Sequence, residues 1–120
     1  MPLMAVAFPI LPGKTAEWRT WMEELNASPR REEFNDSRRR AGVHERTFLQ
    51  STPMGDLVIV TLEGDDPGRA FGKIMSADDD FTRWFNERAH EIHGVDLTVR
   101  PAGPPSELVV DTEGPAVPAK

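Results

Sequence analysis

His44 and Arg46 stand two residues apart in a stretch, Val43 to Gln50, that alternates along the chain. On a strand they project from one face together with Phe48 and Gln50. A histidine that shuttles protons near neutral pH, beside a guanidinium that clamps a carboxylate or an enolate oxygen, would give an apolar pocket a polar end. The other face carries Val43, Glu45, Thr47 and Leu49; Glu45 and Thr47, with Thr61 and Glu63, make a competing pocket face. The pattern leaves the register open. His90 and His93 have the i,i+3 spacing of a metal pair on a helix, with Glu91 between them, but no third ligand stands at a recognisable spacing. Around that helix His90 falls away from the apolar stripe, toward solvent. His93 falls at the stripe's edge beside Gly94, where a cationic ring would cap the helix C-terminus. Asp78-Asp79-Asp80 and Asp65-Asp66 lack the Gly and closing Glu of a calcium loop. No metal is expected.

Composition narrows the chemistry further. The chain has 120 residues, enough for one domain with a single core. It contains no Cys and no Tyr, which excludes a disulfide scaffold, thiolate metal sites, a cysteine nucleophile and tyrosine acid–base work. A net charge of -6 argues against binding nucleic-acid phosphates. Locally, Arg30 to Arg46 holds six Arg against four acids, read as a solvated helix with internal ion pairs such as Asp36–Arg40. The longest apolar run, Leu3 to Leu11, is too short to span a bilayer and resembles no leader, so a soluble cytoplasmic domain without membrane contact is expected. Neither a Ser–His–Asp order nor a Gly-rich phosphate loop appears, and no cofactor is called for.

These residues must be held by secondary structure. Leu3 to Ile10 is apolar at both parities, as a strand is when both of its faces are covered. After the Pro12-Gly13 turn, with Thr15 as cap, Trp18, Trp21, Met22 and Leu25 form one helical stripe. Ser28 as N-cap and Pro29 at N1 would begin a second helix running to Arg40 or Ala41, its one large apolar residue Phe34 and its stop Gly42. Val43 to Gln50 and Leu57 to Leu62 read as an antiparallel hairpin. Asp66 caps a helix with Pro67 at N1, and Asp79 or Asp80 caps another that carries Phe81, Trp84, Phe85, Ala89 and Ile92. Val95 to Val99 supplies a fourth strand, and residues 101–120, with five Pro, are a tail that is flexible or docked on a surface.

The order is that of an α+β, ferredoxin-like βαββαβ domain over residues 1–100, with a four-stranded antiparallel sheet. One layer of helices covers one sheet face, yet the first and third strands are apolar on both. A second copy covering the other face, in a homodimer through sheet faces, resolves this.

Phe8-Pro9-Ile10-Leu11-Pro12-Gly13-Lys14 followed by Glu17-Trp18 resembles the first strand, turn and helix of the dimeric α/β-barrel superfamily. The hairpin from Val43 to Glu63 and the late helix with Trp84 and Phe85 fit the same layout, and the resemblance covers residues 3 to 100. That superfamily includes cofactor-free antibiotic-biosynthesis monooxygenases, haem-degrading monooxygenases, chlorite dismutases, muconolactone isomerases and EthD-like proteins. The chain is most similar to members to which no reaction is attached. It lacks the Asn–Trp–His constellation of the haem-degrading enzymes and is too short for a chlorite dismutase. The resemblance implies a dimeric barrel binding a small apolar or aromatic molecule, with His44, Arg46, Phe48, Trp84 and His93 as candidate ligand-binding residues. The alternative it carries is a cofactor-free monooxygenase or isomerase using His44 and Arg46.

Overall fold

The structure is a computed structural model that describes residues 2–97 and 106–114. Among these residues the chain forms three strands and four helices: β1 (Leu3–Pro9), α1 (Thr15–Leu25), α2 (Arg30–Ala41), β2 (Val43–Thr52), β3 (Gly55–Gly64), α3 (Pro67–Ser76) and α4 (Asp80–His93). The sheet is antiparallel in the order β1-β3-β2. This is an α+β arrangement in which β3, the most β-branched segment, takes the centre.

Register decides which side chains meet. Met4, Val6 and Phe8 lie opposite Leu62, Val60 and Val58, and Glu45, Thr47 and Leu49 lie opposite the same three β3 residues. That face packs on the helices: Val58, Trp18, Trp21, Ala89 and Ile92 share one core cluster. Burying Val58 and Leu62 contributes roughly 1.5–3 kcal/mol each. The other face carries Leu3, Ala5 and Ala7 opposite Glu63, Thr61 and Ile59, with His44, Arg46 and Phe48 opposite the same three. Among the described residues no helix covers this side, and Leu3 and Phe48 are 56% and 49% exposed. β1 and β3 are therefore apolar on both faces, the inner one covered by the helices and the outer one uncovered among the described residues.

The helix ends follow local chemistry in part. Asp66 and Asp79 accept from the backbone N–H of Arg69 and Thr82, at 3.1 and 2.7 Å, and Pro67 begins α3. Gly42 and Gly94 end α2 and α4 in the left-handed conformation, φ 75° and 72°, which a side chain would strain. Two expected caps are corrected. The Thr15 hydroxyl donates to Asp56 Oδ2 (2.6 Å) in the hairpin and does not cap α1. Ser28 precedes a cis peptide to Pro29 and bonds Glu32, so it caps no backbone N–H of α2.

Of the expected fourth strand, Val95 and Asp96 are irregular and Leu97 is in a turn, while 98–99 lie outside the described residues. Of the tail, 106–114 carries no helix or strand, and 101–105 and 115–120 lie outside the described residues. The Ser106 hydroxyl donates to the Ala5 carbonyl of β1.

Candidate functional site

A cleft opens between the inner face of the sheet and the helices, with a volume of about 50 Å³. One water needs roughly 10–15 Å³ of such space. Each element contributes to the wall. β1 and β3 present Phe8, Val58 and Leu62; α1 presents the stripe of Trp18, Trp21, Met22 and Leu25. α3 closes one side with Ile74 and Met75, and α4 brings Phe85, Ala89 and His93. Leu62 is 1% exposed at the floor. Thr47, which is exposed, marks where the cleft reaches solvent at the edge strand β2.

Four residues with polar side-chain groups, Arg38, Glu45, His93 and Trp21, stand in this apolar wall. Arg38 of α2 donates through Nε to Glu45 Oε1 of β2 at 2.7 Å, and both side chains are 7% exposed. Arg38 also donates to Ser37 Oγ at 2.9 Å, and its guanidinium lies 4.6 and 4.9 Å from the Phe34 and Phe85 ring centres. Two buried charges held this way are tolerable because they compensate each other and lie on aromatic faces.

His93 is the third. Its Nδ1 lies 2.9 Å from the Pro9 carbonyl oxygen, which can only accept, so Nδ1 carries the proton and Nε2 is the ring's acceptor. Burial pushes its pKa below the usual histidine value, and the hydrogen bond to Pro9 offsets this in part. Burial thus favours the neutral imidazole over the cationic cap that the sequence suggested, and the ring bonds the Pro9 carbonyl of the strand end. The fourth group is Trp21, whose buried Nε1–H has no partner among the described residues. Its ring centre lies 6.4 Å from that of His93 and 5.0 Å from that of Phe85. An unpaired buried donor costs about 1–3 kcal/mol relative to a satisfied one.

A pH dependence follows. Because folding lowers the His93 pKa from 6.5, the unfolded chain takes up the proton first as pH falls. The stabilisation from a neutral His93 is fully present above pH 6.5 and is lost as pH drops through the folded-state value. Urea midpoints of the wild type and His93→Gln, measured from pH 8 down to pH 5, should converge on acidification. Parallel curves would contradict the assignment of a neutral, buried ring.

The other sequence candidates are placed elsewhere. His44, Arg46 and Phe48 share one face, as the alternation requires, but it is the sheet face turned away from the cleft. All three are exposed, and Arg46 reaches Glu63 at 3.4 Å. The competing grouping divides: Glu45 and Thr47 line the cleft, whereas Thr61 and Glu63 pair with Arg46 and His44 on the outer face. Trp84 is half-buried behind Trp21, ring centres 6.4 Å apart, with the Arg30 guanidinium 4.1 Å over its ring; it does not line the cleft. His90 is exposed while His93 is buried, so the two do not share a site. Among the described residues no group of three His, Cys, Asp or Glu is placed to hold a metal ion, and no helix is long and apolar enough to cross a membrane.

Arg38 is the residue that sequence reasoning missed, because it stood in a run read as solvated. Its signal was its position four residues after Phe34, the one large apolar side chain of α2 and therefore the marker of that helix's buried face. The outer ion pairs also regroup: Asp36 takes Arg39 at 2.8 Å, and Arg40 stands 4.0 Å from Asp79. Family models, curated proteins and solved structures yield no match to this chain.

Proposed function

We propose that this chain works as a homodimeric α/β barrel that binds one small apolar or aromatic molecule in the sheet–helix cleft of each subunit. The observation that carries the reading is the apolar cleft whose lining includes Trp21, a residue with a buried, unpartnered Nε1–H. Such a group is destabilising in the free protein and is satisfied by a ligand that brings an acceptor. Met22 and Met75, unbranched and adaptable, let the wall shift to admit one aromatic ring.

The barrel rests on two supports. The outer sheet face carries Leu3, Ala5, Ala7, Ile59 and Phe48 with no element over it among the described residues. A second copy placed face to face would remove that apolar surface from water. The fourth strand of a ferredoxin-like sheet belongs on the edge of β1 that β3 does not occupy. The chain stands beside β1 on both sides of 98–105: the Leu11 N–H bonds the Ile92 carbonyl at 2.9 Å, and Ser106 bonds Ala5.

The enzymatic alternative, a cofactor-free monooxygenase or isomerase acting through His44 and Arg46, needs both side chains at the ligand. They do not line this cleft.

Binding is tested by titrating the chain with toluene and following indole N–H resonances and thermal unfolding. The expected result is saturable shifts at Trp18 and Trp21 and a raised melting temperature, since a ligand that binds only the folded state stabilises it. No saturable change up to the solubility limit of toluene would overturn the cleft as a ligand site.

A further inference from the structure

The polar groups of the cleft define what kind of molecule fits it, and this inference rests on the binding role proposed above. Trp21 Nε1–H can only donate, and His93, with its proton fixed on Nδ1 by the Pro9 carbonyl, can only accept through Nε2. Both residues line the same cleft, ring centres 6.4 Å apart. A hydroxyl oxygen is the smallest group that satisfies both, since it accepts one hydrogen bond while donating another. The cleft otherwise carries no unbalanced charge: Arg38 and Glu45 neutralise each other, and β1, β3, α1 and α3 bring no charged side chain to it. A carboxylate, phosphate or amine would enter without a counter-charge and lose its hydration.

We propose that the cleft selects an uncharged, single-ring hydroxy compound of the phenol class, its hydroxyl accepting from Trp21 Nε1–H and donating to His93 Nε2, its ring packed among Phe85, Met22 and Val58. Trp21 and His93 are then the specificity-determining pair. The apolar wall supplies affinity without preference for the hydroxyl.

Phenol, anisole and toluene, titrated separately into the full chain and read by the Trp18 and Trp21 indole N–H resonances and by thermal unfolding, test this. All three carry the ring; anisole keeps the acceptor but lacks the donor, and toluene lacks both. In an apolar cleft without these partners phenol would bind worse than toluene, because its hydroxyl would be buried unpaired. The expected result is phenol at least about tenfold tighter than toluene, with anisole between, a preference of about 1.4 kcal/mol. Trp21→Phe and His93→Phe should each erase the preference while toluene still binds. In the wild type the preference should also fade as the pH drops through the lowered folded-state value of His93, below which the protonated ring no longer accepts. The pH arm and the anisole arm need no variant to fold. Toluene binding as well as or better than phenol would overturn the hydroxyl selection and leave the apolar binding role standing. If no compound binds, both fail together.

Discussion

Replacing Glu45 by Leu, or Arg38 by Met, is expected to destabilise the chain by about 3–5 kcal/mol, because either change leaves one charge buried without its counter-ion. Both side chains are 7% exposed and their N···O distance is 2.7 Å, so solvent does little to screen the loss. For a domain of this size that is on the order of 10–20 °C in melting temperature, a large part of a total stability of about 5–15 kcal/mol. The double variant Arg38→Met/Glu45→Leu should recover most of the loss, since an apolar pair of similar volume avoids the desolvation cost of both ions. Urea denaturation of the four proteins checks it. Additive losses in the double variant would mean that the two side chains act separately and that the pair is not what holds α2 to β2.

Trp21→Ala is expected to cost about 3–5 kcal/mol by emptying the centre of the wall. Trp21 is 5% exposed and packs against Trp84, Phe85 and His93, so its removal strips contacts from both α1 and α4. Trp21→Phe keeps most of the ring packing and removes the unpaired N–H, so its cost should be well below that of Ala. The enlarged cleft of Trp21→Ala should then be filled by added indole. At a concentration 100 times its dissociation constant, indole would return about 2.7 kcal/mol. Thermal unfolding with and without indole measures this. An alanine variant as stable as the wild type would mean that Trp21 is not part of a packed wall.

These expectations show where the sequence sufficed. The period-3.6 stripe of α1, the Asp caps of α3 and α4, the glycine stops and the hairpin follow from local chemistry, and local chemistry is what a sequence displays. The site needed information that is not local. Alternation in β2 places Glu45 with Thr47 and His44 with Arg46, but only pairing with β3 tells which pair faces the helices. His44 and Arg46 were attractive because histidine and arginine do chemistry. Glu45 was the residue that mattered, because burial gives a charge its consequence. In the same way Arg38 looked like one arginine in a solvated run until Phe34, one turn earlier, is taken to mark the buried face. His93 fell at the edge of its stripe, and the Pro9 carbonyl, far away in sequence, made it a neutral acceptor and not a cap.

A homodimer through sheet faces requires a second copy to cover the outer sheet face. Size-exclusion chromatography with light scattering at micromolar concentration tests that directly, on the wild type and on Phe48→Asp/Ile59→Lys, two positions opposite each other on that face. The prediction is the mass of two chains for the wild type and of one chain for the variant, with circular dichroism unchanged between them. A wild type that elutes with the mass of a single, compact chain would contradict it.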